Sequence, residues 1–178
     1  MSEGIELPEV HGGEEGPLVL PVSITISIMA VLVASVALLG HRTHTEELLR
    51  QSQASDRWAQ YQAKSVRLHE TQGFSDVIKL VASLDKEKGE QLREKYDKEV
   101  EHYQSDKEDI SKEAKELEAE RDLDGRKADR FDGGEAFLEI GLVICSITLL
   151  TKRKIFWFGG MLVGALGVAL ALTSFFLH

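Results

Sequence analysis

Three long apolar stretches constrain this chain more than any other feature. They cover residues 18–39, 136–150 and 155–177, and the first and third contain no Asp, Glu, Lys or Arg. A helix needs about 20 apolar residues to cross the hydrocarbon core of a bilayer, and these two stretches reach that length. The sequence therefore predicts an all-α integral membrane protein with three transmembrane helices.

The segment between the first two stretches is dominated by charge. Residues 42–134 hold 18 Lys/Arg and 23 Asp/Glu, and the whole chain has a net charge of −9. Binding of nucleic acid needs a clustered basic face, and this segment has none. The expected partners are therefore the lipid bilayer and either a second copy of the chain or a membrane-associated protein, with no nucleic acid.

The N-terminal segment, residues 1–17, has five Glu, several Gly and Pro, and no Lys or Arg. This composition predicts a flexible acidic tail. A secretory signal peptide would have a basic start and a shorter apolar core, so residues 18–40 are expected to remain as the first transmembrane helix. This helix has a side suited to close contact with another helix, formed by Ser27, Ala30, Ala34 and Ser35.

Residues 41–134 contain two rows of apolar and aromatic residues spaced three or four apart, or seven apart, as in a coiled coil. Row one is Ala54, Trp58, Tyr61, Ser65 and Leu68, and row two is Tyr96, Tyr103, Ile110 and Leu117, with Val100 and Ala114 between them. Gly73 is expected to interrupt the first helix. The two helical segments, residues 41–72 and 90–124, have similar lengths. The sequence therefore predicts a long antiparallel helical hairpin, or stalk, with its tip near residues 73–86.

Polar residues weaken this prediction for the second row. Lys107 and Arg121 occupy two of its positions. The alternative for residues 86–124 is a single solvated helix or partial disorder. Gly125 and Gly133–Gly134 predict a hinge before the next transmembrane helix.

The last third of the chain predicts a tight pair of transmembrane helices, residues 135–151 and 155–177, joined by a basic turn at residues 152–154. Aromatic residues follow this turn, as is typical of a membrane interface. One side of the third helix carries small residues that let another backbone approach closely, namely Gly160, Gly164, Gly167 and Ala171. We expect this side to pack against another transmembrane helix or a second copy of the chain.

Three segments resemble a known family. They are MSEGIELPE at residues 1–9, LGHRTHTEELLRQSQASDRWAQYQAKS at residues 39–65, and DRFDGGEAFLEIGLVICSITLLTKRKIFWFGG at residues 129–160. With three predicted spans around a charged coil, they are similar to a bacterial membrane-protein family catalogued as a domain of unknown function, DUF4337. The family usually reads close to ASDQWAYYQAKS where this chain has Arg57 and Gln60. The resemblance implies the architecture but no activity and no catalytic residues.

Glu139 is the main candidate for a functional residue within a span. Ionisable groups at membrane depth are costly and often mark ion pathways. Glu139 lies only about four residues into a short apolar stretch, one turn beyond Glu135. Interfacial positioning or a helix–helix hydrogen bond is therefore expected, with an ion pathway as the alternative.

No metal or cofactor site is expected. His41 and His44 form a pair three residues apart, but a closed metal site needs more ligands. Cys145 lies inside an apolar helix, where packing is the expected role. The DRFDGGE segment at residues 129–135 lacks the twelve-residue ligand pattern of a calcium loop.

These features predict a non-enzymatic structural or interaction protein, oligomeric, with no cofactor. A small transporter or channel component using Glu139 is the alternative. The expected location is the inner (plasma) membrane, with several spans. The basic residues that follow the first span place the stalk in the cytoplasm, whereas the basic turn at residues 152–154 argues for the reverse. We give the first helix more weight and expect the stalk in the cytoplasm.

Overall fold

The computed structural model describes residues 17–81 and 86–177, and within them the fold is all-α. Three long helices follow one another: α1 (Val19–Val81), α2 (Lys86–Thr151) and α3 (Lys154–Thr173). A short 3-10 helix, Ser174–Phe176, ends the described chain. Most of the predicted acidic tail (residues 1–16) and part of the predicted hairpin tip (residues 82–85) lie outside the described residues.

The chain divides into two compact units. Residues 17–41 and 127–177 belong to the first, which we call the apolar unit. Residues 42–126 make up the second, which we call the charged unit. Helices α1 and α2 contribute to both units, whereas α3 belongs to the apolar unit alone.

Each of the three helices contains a segment long and apolar enough to cross a membrane. Inside the apolar unit, Val36, Phe131, Leu138 and Ala171 form a buried cluster that draws on all three helices. Many other apolar side chains of this unit point outward, including Leu38, Val143 and Leu162. Outward apolar side chains suit a lipid environment, because lipid tails are as apolar as the side chains themselves.

The predicted interruption at Gly73 is wrong. Helix α1 continues through Gly73 to Val81. The buried side of the helix also continues, because Thr71 and Ser75 are buried on either side of the glycine. Packing on both sides outweighs the roughly 1 kcal/mol by which glycine disfavours a helix interior relative to alanine.

The hinge predicted from Gly125 and Gly133–Gly134 is also wrong, since α2 is helical from Lys86 to Thr151. At Gly134 an added Cβ would lie 2.8 Å from the carbonyl oxygen of Gly167. This glycine allows a close approach to α3 within an unbroken helix.

Two residues, Lys152 and Arg153, connect α2 to α3. Lys152 has a φ of 55° and lies in the left-handed region, and Arg153 is extended. The amide of Lys152 donates to the carbonyl oxygen of Thr148 at 2.8 Å. This hydrogen bond closes the last turn of α2 before the chain reverses.

Candidate functional site

The two predicted rows face the interior of the charged unit. Ala54 and Leu68 are buried, and the other members of row one are half-buried. Ala114 is fully buried in α2, and the large residues of row two are half-buried, namely Tyr96, Tyr103, Ile110 and Leu117. These residues form the inner side of the charged unit.

Ion pairs connect α1 to α2 at regular intervals. Three cations on α1 are spaced seven residues apart and contact three carboxylates on α2. The residue numbers of these carboxylates decrease in steps of seven as those of the cations increase. The pairs are Arg50 with Glu120, Arg57 with Glu113, and Lys64 with Asp106. Arg50 also donates from Nε to Asp124 at 2.8 Å. We call these contacts the charge ladder.

The charge ladder was missed in the sequence, although a signal was present. The positions 50, 57 and 64 are spaced by seven, and so are 106, 113 and 120. Along the ladder, the residue numbers increase on α1 and decrease on α2. The two helices therefore run in opposite directions here. An exposed ion pair contributes only about 0.2–1 kcal/mol, so the ladder adds only modestly to stability.

A reciprocal pair of cation–aromatic contacts lies within the ladder. Lys64 Nζ lies 5.2 Å from the ring centroid of Tyr103 on α2. Lys107 Nζ lies 5.2 Å from the ring centroid of Tyr61 on α1. The ammonium group of Lys107 therefore lies over an aromatic face, and the expectation that this residue weakens row two stays a prediction.

Other polar residues of the rows are also used in pairing. Arg121 donates from an NH group to Gln51 Oε1 at 2.6 Å, so this second polar position is occupied by a contact as well. Trp58 donates from Nε1 to Glu118 Oε1 at 2.9 Å, and its ring meets Tyr61 edge-on at 5.4 Å between centroids. Pairing in this unit therefore depends on directed polar contacts as well as on apolar packing.

The ladder also affects the ionisation of its members. The hydrogen bond from Lys64 holds the pKa of Asp106 below its usual range. The hydrogen bond to Asp124, helped by the charge of Glu120, raises the pKa of Arg50 above its usual value. Both shifts favour the charged forms of these two side chains, which are the forms that make the contacts.

In the apolar unit, the small-residue side of α3 lies against α2. Gly160, Gly164, Gly167 and Ala171 are all buried. A Cβ added at Gly160 would lie 2.6 Å from the carbonyl oxygen of Gly141, and one added at Gly167 would lie 2.6 Å from that of Gly134. The two backbones approach so closely that only glycine fits at these points.

Helix α1 joins this pair through Met29 and Thr25. The Met29 methyl group fills a notch between Gly141 and Gly164, within 2.8 Å of where a Cβ would stand on either. Trp157 of α3 donates from Nε1 to Thr25 Oγ1 at 3.1 Å. One thioether and one hydrogen bond thus fix α1 against the other two helices.

Glu139, the candidate for an intramembrane functional residue, is exposed on the surface of α2. Its neighbours Phe137 and Ile140 are exposed apolar residues. A carboxylate in this position does not line an interior path within one chain. Whether it functions with other copies stays a prediction.

The remaining candidates hold no metal cluster. His44 Nδ1 lies 3.2 Å from Glu47 Oε2, one turn further along α1. Within residues 17–81 and 86–177, no group of three or more His, Cys, Asp and Glu is placed to bind a metal ion. Cys145 is buried, with its Sγ 3.8 Å from Met29 Sδ, and takes part in the packing just described.

The charge ladder generates a prediction for Arg57. Replacing Arg57 with Glu places two carboxylates together and should lower the free energy of unfolding by about 0.2–1 kcal/mol. The exchange Arg57→Glu with Glu113→Arg should restore it. Thermal unfolding in detergent, followed by circular dichroism, measures both. As a control, Glu113→Arg should not rescue Arg67→Glu, since Arg67 is exposed and makes no ion pair among the described residues.

The close approach at Gly160 generates a second prediction. Gly160→Ala forces a methyl group against the backbone of α2 and should lower the free energy of unfolding by about 1–3 kcal/mol. The matched control is Gly159→Ala, because an added Cβ there has nothing within 4 Å. Equal unfolding temperatures for the two variants in detergent would contradict the packing described.

The comparison with known proteins adds one finding. A family model described as Domain of unknown function (DUF4337) matches residues 20–177, which include all three helices. No curated protein matches the chain, and no solved structure matches it. The match covers most of the sequence, and the chain therefore belongs to the DUF4337 family.

Proposed function

We propose that this protein is a non-enzymatic scaffold or adaptor, anchored in a membrane by three helices, whose charged unit is an antiparallel coiled-coil hairpin that engages a protein partner. The charge ladder is the observation that carries the proposal. Its seven-residue spacing on both helices is the spacing of a coiled coil. A partner surface built in this way is rigid without a large apolar core.

Contacts along the length of the charged unit support the hairpin. Near the expected tip, Ser75 donates to Asp97 Oδ1 at 3.1 Å, and the rings of Phe74 and Tyr96 lie 6.3 Å apart. At the opposite end, Arg50 contacts Asp124. The pairs connect successive turns of α1 to α2 in reverse order, which is the pattern an antiparallel hairpin requires.

We further propose that the protein associates with itself through α1. The small-residue side predicted for this helix is exposed in the single chain at Ser27, Ala30 and Ala34. The small-residue side of α3 is already occupied by α2. A second copy is the partner that would use the free side, because close backbone contact is a main source of helix association in lipid.

The inner membrane of a bacterium, with the charged unit in the cytoplasm, is the location we propose. The support is the basic residues Arg42, Arg50 and Arg57 that follow the apolar part of α1, with none before it from Met1 onward. Basic residues are retained on the cytoplasmic side of a membrane. The basic residues at 152–154 oppose this orientation, and we give more weight to the first span.

Self-association can be tested with two differently tagged copies of the full chain. Co-expression, extraction in mild detergent and capture of one tag should recover the other copy. Replacing Ala30 and Ala34 with Leu should reduce the recovered fraction several-fold, because the added bulk separates the helix backbones. The control is Leu32→Phe, which enlarges an exposed residue two positions from both Ala30 and Ala34 and therefore on a different side of the helix. Equal recovery from both variants would contradict association through this side.

A small transporter or channel using Glu139 is the competing function, and it makes an opposite prediction for Glu139→Gln. If the protein is a scaffold, this variant should insert, unfold and capture its second copy like the parent, because the side-chain shape is kept and only the charge is removed. If ions pass through the protein, a flux measured in proteoliposomes should fall in the variant. A parental flux that disappears in Glu139→Gln would replace the scaffold proposal.

A further inference from the structure

A small cavity lies at the end of the apolar unit where α2 turns into α3. Its volume is about 90 Å³. Its lining is apolar apart from Thr148 and Lys152, and the residues around it are Pro17, Leu18, Val19, Val22, Thr148, Leu149 and Lys152. The start of α1 and the end of α2 therefore enclose a space with one hydroxyl and one ammonium group in its wall.

Thr148 is unusual within this unit. Thr25 and Thr151 donate their hydroxyls to the carbonyl oxygens of Pro21 and Ile147, each at 2.9 Å, as hydroxyl side chains in helices commonly do. The hydroxyl of Thr148 has no hydrogen-bond partner among the described residues, although the residue is only 1% exposed. A buried hydroxyl without a hydrogen-bond partner is unfavourable, so a ligand that offers this hydroxyl a hydrogen bond would be favoured here.

One basic residue lies in the wall of the same cavity, and two more follow it in the sequence. Lys152 lines the cavity, and Arg153 and Lys154 come next along the chain. Lys152, Arg153 and Lys154 are exposed, and none forms an ion pair within the described residues. No side chain caps the start of α3, and its first turn carries no acidic residue. Uncapped amides at a helix start and three cations together favour an anion.

The opposite end of the apolar unit carries charges of both signs. There the basic residues Lys127 and Arg130 lie along α2 among acidic residues, namely Asp129, Asp132, Glu135 and Glu139. Within the described chain, the end at the link between α2 and α3 (Lys152 and Arg153) has basic residues and no acidic ones. An anionic ligand therefore meets no repelling carboxylate among the described residues at the link.

We propose that this cavity and the link bind an anionic phospholipid, with the phosphate at Lys152 and the glycerol or ester oxygens at Thr148. The proposal rests on the membrane location proposed above. Charge complementarity supplies the headgroup contact, the apolar lining accepts the start of an acyl chain, and the hydroxyl of Thr148 gains the partner it lacks. Each basic residue near an anionic headgroup strengthens binding about fivefold.

The test uses the full chain in vesicles of equal parts phosphatidylglycerol and phosphatidylcholine. The protein is extracted in mild detergent and purified, and the retained lipids are counted by mass spectrometry. The parent should retain phosphatidylglycerol in excess. Lys152→Gln should lower this excess about fivefold. Arg153→Gln, which removes the same charge outside the cavity lining, should lower it less.

Thr148→Val separates a built site from general attraction to a basic surface. This variant keeps the shape and net charge, and should still reduce retention of phosphatidylglycerol several-fold. Its unfolding temperature in lipid-free detergent should equal or exceed that of the parent, because a buried hydroxyl without a partner has been removed. Unchanged retention in Thr148→Val, or equal losses from Lys152→Gln and Arg153→Gln, would overturn the proposal.

Two further arms identify the source of the anion. Excess inorganic phosphate should not release the retained lipid, and release would assign the site to a free anion instead. Glu14 and Glu15 precede Pro17 in the sequence. If the parent showed no preference for phosphatidylglycerol and the double variant Glu14→Gln/Glu15→Gln did, the site would be assigned to the chain's own carboxylates and not to a lipid. Extraction of the chain from vesicles by alkaline carbonate would refute the membrane location itself, whereas failure of lipid retention alone leaves that location intact.

Discussion

Close contact between the backbones of α2 and α3 sets the geometry of the apolar unit. Burial of apolar side chains cannot hold helices together in lipid, because the surroundings are equally apolar. At Gly160 and Gly141 the absence of side chains allows many short-range contacts between the two helices. The hydrogen bond from Trp157 to Thr25 then adds α1, and a polar contact of this kind is directional enough to fix how that helix is rotated.

The charged unit solves the same pairing problem with different residues. Its interior is made of small and aromatic side chains with few large aliphatic ones, so apolar packing alone would tolerate several registers. The ion pairs of Arg50, Arg57 and Lys64 reduce this ambiguity. They favour the observed register over a shift of one residue, which would turn the three cations away from their carboxylates. The Lys64–Tyr103 and Lys107–Tyr61 contacts add to the pairing at the Lys64 end of the ladder.

The sequence was sufficient to predict the three apolar helices, the side of α1 and α2 that faces inward in the charged unit, and the small-residue side of α3. Periodicity shows which side of a helix is buried, and each of these conclusions needed only that. The partners of Arg57 and Lys64 needed the register between two distant segments, which periodicity does not supply. The interruption predicted at Gly73 and the hinge predicted at Gly133–Gly134 were wrong. A glycine can mark either a break in a helix or a close approach to another helix, and only the neighbouring helix distinguishes the two.

Met29 makes the apolar unit sensitive to oxidation. Its methyl group fills the notch between Gly141 and Gly164, and its sulfur lies beside Cys145 Sγ. Conversion of this thioether to a sulfoxide would add a polar oxygen to a space bounded by glycine backbone and apolar side chains. The three helices would then have to separate locally to admit it. An oxidant that reaches the apolar unit would loosen the packing of its three helices while leaving every contact of the charge ladder chemically unchanged.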